Sequence, residues 1–200
     1  MLTFKSLSIN TQHIALPLIV IIFSSLALFI DTELLHYQRD LIINGELWRG
    51  LSSHFLHTNL NHYLLNISAV ILLWMLHGQF YTHINYLVIF IVCAVTTTFG
   101  VYTFSPEITQ YVGLSGVLHG VFVWGAIKDI QHKEKTGYFL LAAVLVKVIY
   151  EQFAGPSEDI STLISATVAI DAHLWGMIGG LLIGLTSLTF SQKHKTNTIE

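Results

Sequence analysis

The stretch GLSGVLHG, residues 113–120, decides how this chain is read. Within eight residues it holds one hydroxyl, one imidazole and three glycines, at Ser115, His119, Gly113, Gly116 and Gly120. The chain around it is 53% hydrophobic and only 10% charged over 200 residues. Soluble domains average about 25% charged residues. So little charge does not cover a soluble surface, and the chain reads as a polytopic membrane protein. Polar side chains are expensive in lipid, so those of this stretch need a reason, as do the chain's eleven histidines.

Working outward, a bilayer needs about 20 apolar residues per helix. Six segments qualify, roughly 14–30, 60–76, 84–104, 115–127, 138–153 and 163–190, the fourth being short. The expected architecture is an all-α bundle of six transmembrane helices forming one domain over 1–200. The N-terminal stretch resembles a signal peptide, but its apolar part is too long and no small-residue cleavage site follows, so it reads as an uncleaved first span. The first connection, about 31–57, is long and amphipathic and contains "LWRG"; it reads as a semi-ordered interfacial loop. Lys5, Lys128, Lys133, Lys135, Lys193 and Lys195 all fall on one side of a six-span chain, which the positive-inside rule makes the cytoplasm. Both termini are then cytoplasmic. The opposite side receives Asp31, Glu33, Asp40, Glu46, Glu107, Glu158 and Asp159, with Arg39 and Arg49. Cys93 is alone, so there is no disulfide framework, and a net charge of −3 excludes a nucleic-acid partner.

On this topology Ser115, His62, Asn66 and His173 reach a similar depth near the outer surface from three different helices. Polar groups at one depth suggest one site facing the bundle interior. Ala172, Gly176, Gly180 and Gly184 recur every four residues and form a stripe on which another helix can press closely. His173 lies about 60° from that stripe. The fourth span, with its own glycines, is the natural partner, and the contact would bring Ser115 to His173. A serine hydroxyl becomes a nucleophile when a base takes its proton, and a neutral imidazole can do so. Free backbone N–H groups at the start of the fourth span, around Ser115 and Gly116, with His62 and Asn66 at i and i+4, can serve as oxyanion donors. Asp171 is two residues from His173 and points about 200° away, so it is no direct partner. Lys147 and Glu151, at i and i+4 of the fifth span, pair with each other, with no function assigned.

These residues together resemble the rhomboid family of intramembrane serine proteases. The ordered set is Trp48-Arg49 in the first loop; His57, His62 and Asn66 around the second span; G-x-S-G at 113–116; and Ala172, His173, Gly176 and Gly180 in the sixth. The resemblance implies Ser115 as nucleophile, His173 as general base, and His62 and Asn66 as oxyanion-hole residues. Rhomboids commonly carry tyrosine four residues after the serine, stacked on the catalytic histidine. Here that position is His119, which resembles the rhombosortase branch. The branch implies membrane-anchored substrates with a Gly-Gly-type motif, one hydrophobic C-terminal helix and a basic end. It also implies a bacterial inner membrane and an active site open to the periplasm, with no cofactor. His119 is expected to orient His173 by packing on its ring.

Other readings stay open at this level. The chain could cut other single-span proteins as a general rhomboid protease. It could be a non-catalytic rhomboid-like binder, which the presence of both Ser115 and His173 disfavours. A metal site of His54, His57, His62, His119 and His173 lacks carboxylate or thiolate company in the spans. A transporter would need polar residues tracing a path across the membrane, whereas these cluster at one end. Trp48-Arg49 reads as a loop anchor.

Overall fold

A computed structural model describes the backbone of residues 14–196 and the side chains of residues 14–186. The side chains of Lys5, Lys193 and Lys195, used in the charge argument, lie outside the described residues. The chain is mostly helical: α1 (Ala15–Ala27), α2 (Arg39–Ile43), α3 (Arg49–Ser52), α4 (Leu60–His77), α5 (His83–Phe104), α6 (Ser115–Gln131), α7 (Thr136–Ala154), α8 (Glu158–Ile164) and α9 (Ile170–Thr196). Among the described residues, three stretches are long and apolar enough to cross a membrane: Leu60–Phe80, His83–Phe104 and Thr136–Ala154. Ala15–Ala27 and Ile170–Thr186 are shorter apolar helices.

The helix α6 stands at the centre, with eleven of its seventeen residues buried. A helix wrapped by protein need not match the bilayer's thickness, which accounts for its length. Val117, Val121 and Trp124 of α6 share a core with Val70 and Leu73 of α4 and Ile89 and Cys93 of α5. Large apolar side chains instead cover the outside: α7 exposes Tyr138, Phe139, Val146, Ile149, Tyr150 and Phe153. That inversion suits a surface whose solvent is lipid.

The tightest contact is α6 against α9. A Cβ on Gly176 would lie 1.8 Å from the Gly116 carbonyl oxygen, and one on Gly180 2.1 Å from that of Gly120. Backbone therefore touches backbone, which only glycine permits. Gly184 faces the side chain of Ile127. Thr97 and Cys93 of α5 close the third side, against Gly116 and Gly120.

Two expectations are corrected. The sixth apolar segment does not begin as one helix at 163. Ser165 has a φ of 55°, in the left-handed region that ends α8, and its N–H and that of Ala166 return to Thr162 and Ser161. The helix carrying His173 starts afresh at Ile170. The first connection is not semi-ordered either. Its strand β1 (Tyr37–Gln38) pairs antiparallel with β2 (Gln110–Tyr111), Tyr37 opposite Tyr111. Arg49, only 4% exposed, donates to Glu46 Oε2 (2.6 Å) and to the carbonyls of Glu33 (2.8 Å) and His36 (3.1 Å). A guanidinium carries donors in a fixed fork, so one side chain pins three points of the loop. Trp48 stays on the outside, its indole N–H 3.4 Å from the Leu34 carbonyl.

Candidate active site

Ser115 is the first residue of α6. The chain reaches it through Gly113, whose φ of 134° is strained for any residue with a side chain. The Gly113 N–H donates to the Ser53 carbonyl (3.1 Å), and its carbonyl accepts from the Tyr111 hydroxyl (2.5 Å). A Cβ at Gly113 would sit 2.9 Å from the His62 ring, so glycine here also admits that imidazole. The first N–H groups of α6 have no partner within the helix.

His173, the fourth residue of α9, is 5% exposed, and its Nε2 lies 2.9 Å from Ser115 Oγ. The close α6–α9 approach sets this distance, since Ser115 adjoins Gly116 and His173 lies three residues before Gly176. Three further groups surround the imidazole. The His119 ring stacks on it, centroids 4.1 Å apart and planes 19° from parallel. Glu151 Oε2 lies 3.0 Å and Lys147 Nζ 3.1 Å from its Nδ1. Lys147 also donates to Glu151 Oε2 (2.9 Å) and contacts His119 Nε2 (2.7 Å). His119 Nδ1 lies 2.7 Å from the Ser115 carbonyl oxygen.

Glu151 at His173 is the contact that sequence reasoning missed. Lys147 and Glu151 were recognisable as a charged pair on an apolar helix, and a carboxylate is the usual partner of a base histidine. Asp171 is turned away, accepting from Ser105 Oγ (2.5 Å) and Gln152 Nε2 (3.3 Å).

His62 Nδ1 lies 3.1 Å from Thr58 Oγ1 and 3.4 Å from the Thr58 N–H, and its ring faces Gly113. Asn66 is buried one turn further on, its amide donating to the His62 carbonyl (3.2 Å). A cavity of about 390 Å³ opens beside Ser115, walled by His36, His57, His62, Tyr111 and the 164–169 loop. Asn66, Gly116 and His173 do not line it. Both nitrogens of His57 lack a hydrogen-bond partner, and burial pushes its pKa down to about 3. His57 is therefore a neutral ring at neutral pH.

The expectation that no carboxylate joins the five histidines is corrected, because α7 packs Glu151 beside two of them, His119 and His173. Their donor atoms lie within 4.8 Å of one another. Lys147 Nζ is within 3.1 Å of all three, so the chain's own ammonium takes the place a cation would occupy. His54 sits apart, with Nε2 3.1 Å from Thr98 Oγ1 and 3.2 Å from the Ala94 carbonyl.

Comparison with known sequences gives two matches. The profile of the Rhomboid domain family matches residues 44–190. The Bacillus subtilis (strain 168) protein named "Putative rhomboid protease YdcA" is 22% identical over 142 residues, covering 71% of this chain and 68% of that protein.

Proposed function

The chain belongs to the rhomboid family, and from that membership we propose that it is an intramembrane serine endopeptidase working through Ser115 and His173. The observation that carries the reading is the 2.9 Å contact between Ser115 Oγ and His173 Nε2 at the edge of a cavity. In this mechanism His173 Nε2 takes the hydroxyl proton as Oγ attacks the scissile carbonyl. The oxyanion forms near the start of α6, where the N–H groups of Ser115 and Gly116 and the His62 ring are the candidate donors. Asn66 supports this arrangement by holding the turn that carries His62. His173 then passes its proton to the leaving amine, and a water, activated by the same Nε2, releases the acyl group from Ser115.

The substrate class is a membrane-anchored protein with a Gly-Gly-type motif ahead of a C-terminal hydrophobic helix and a basic end. What supports this branch is His119 four residues after the serine. The working topology has six spans, both termini in the cytoplasm of a bacterial inner membrane, and the cavity facing the periplasm. It is supported by the lysine distribution and by the acidic residues of the Ser115 side.

The decisive experiment is cleavage of a fusion carrying such a tail by the purified chain in liposomes. Wild type should release the ectodomain and Ser115→Ala should not. A second fusion with the glycines replaced by valines should be cut at least about tenfold more slowly, the factor expected for one lost specificity contact. Equal cleavage of both would leave a general rhomboid protease. No cleavage of either, or cleavage by Ser115→Ala, would sink the protease reading.

A further inference from the structure

The hydrogen positions around His173 are constrained from three sides. The Ser115 carbonyl can only accept, so the His119 proton lies on Nδ1, 2.7 Å away. His119 Nε2 then keeps its lone pair and accepts from Lys147 Nζ at 2.7 Å. The same ammonium donates to Glu151 Oε2 at 2.9 Å. An ammonium has no lone pair and a carboxylate no hydrogen, so His173 Nδ1 stands between a pure donor and a pure acceptor. Two tautomers are possible. With the proton on Nδ1, His173 donates to Glu151 and offers its Nε2 lone pair to Ser115. With the proton on Nε2, Nδ1 accepts from Lys147 and the histidine cannot act as a base.

Lys147 already has two acceptors, His119 Nε2 and Glu151 Oε2. The Glu151 carboxylate lies as close to Nδ1 as the ammonium does, at 3.0 and 3.1 Å. It also becomes the better partner when His173 takes the serine proton, because a second positive charge then faces a carboxylate rather than an ammonium. The placement is costly unless it does something. Two charged residues sit on a helix whose exposed side chains are mostly apolar, and both are aimed at the one imidazole that touches Ser115. His62 from α4, Ser115 and His119 from α6 and Lys147 from α7 are the other groups facing His173. Asp171 on α9 is occupied elsewhere.

We infer that Glu151 is the positioning residue of His173: its carboxylate accepts the Nδ1 hydrogen and so presents the Nε2 lone pair to Ser115, while Lys147, tied to His119, holds the carboxylate in place. This inference rests on the Ser115–His173 reading above and adds a third member to it. The proton stays on Nδ1 throughout and Glu151 stays ionised. His119 gains a second task beyond ring packing, because it anchors the ammonium.

The test uses the full chain in liposomes with the tailed fusion as substrate, comparing wild type, Glu151→Gln, Glu151→Ala and Ser115→Ala. Glu151→Gln keeps the shape, but its amide can donate to Nδ1 and drive the proton to Nε2. It should lower kcat by about 10³–10⁴, as the wrong tautomer does in serine protease triads, with KM nearly unchanged. Glu151→Ala should lose about 10², and added formate should restore part of that loss by refilling the carboxylate position. A merely structural salt bridge would show no formate rescue. Folding is followed by thermal unfolding of each variant in detergent; should Glu151→Gln fail to fold, the formate response of Glu151→Ala decides alone. Wild-type kcat in Glu151→Gln, a defect confined to KM, or no rescue of Glu151→Ala would each overturn the inference. If Ser115→Ala also cleaved, the serine protease reading would fall instead.

Discussion

Gly176→Ala tests whether backbone contact between α6 and α9 sets the reactive distance. The added methyl would stand 1.8 Å from the Gly116 carbonyl oxygen, whereas ordinary contact starts at 3.4 Å. The obstacle is backbone on both sides, so no side-chain rotation relieves it. The helices must part locally by about 1.6 Å, and overpacking of this kind costs about 1–3 kcal/mol. Gly116 adjoins Ser115, and Gly176 lies one turn from His173. If the whole displacement fell along the Ser115–His173 vector, the 2.9 Å contact would open to about 4.5 Å, well beyond a hydrogen bond. A misplacement of about 1 Å can cost 10² in rate, so kcat should fall by at least about that factor. Gly184→Ala is the internal control. Its methyl meets Ile127 Cδ1 at 2.5 Å, the end of a side chain that can rotate. It also lies eleven residues from His173, about 16 Å along α9. The assay is kcat on the tailed fusion together with the midpoint of thermal unfolding in detergent. Gly184→Ala should keep near-wild-type turnover. Gly176→Ala with unchanged kcat and unchanged unfolding midpoint would refute the reasoning.

Other outcomes follow from the same geometry. His62→Ala should lower turnover by about 10²–10³ with little change in KM, the loss expected for one oxyanion donor; a pure KM defect would move His62 to substrate docking. His119→Tyr keeps a ring on His173 and an oxygen toward Lys147 and should retain most activity, while His119→Ala loses both and should fall by about 10–10²; equal loss in the two variants would reject ring packing. Tags at either terminus should be protected from reagents added outside the inner membrane, and a tag within 31–46 should be labelled; the reverse pattern would overturn the six-span arrangement. Burial pushes the pKa of His54 down to about 4 from 6.5. Its contribution is thus fully present above pH 6.5 and is lost as pH falls toward 4, because the unfolded chain binds the proton first. The loss should reach about 3 kcal/mol, and His54→Gln should flatten the unfolding midpoint over that window; a parallel pH dependence in both proteins would count against it.

Much of the molecule was legible before any coordinates. Low charge and long unbroken apolar runs determine a helical membrane protein, because a helix satisfies its own backbone in lipid and the strands of a closed barrel would instead alternate apolar and polar residues. The positions of α4, α5 and α7 follow from hydropathy alone. A four-residue recurrence of small side chains puts them on one helix face by geometry, so the α9 stripe and its angle to His173 were readable too. The restart at Ile170 was not, because an apolar run does not reveal a left-handed Ser165. Nor was the order of the 31–57 loop, which depends on Arg49 finding carbonyls thirteen and sixteen residues away and on a strand partner beyond four helices. The same limit applies to Glu151. Its spacing from Lys147 is a property of one helix and can be counted. Its contact with His173 depends on how far α7 is rotated and slid against α6 and α9. That phase comes from side-chain packing among three helices, and no single stretch of sequence carries it.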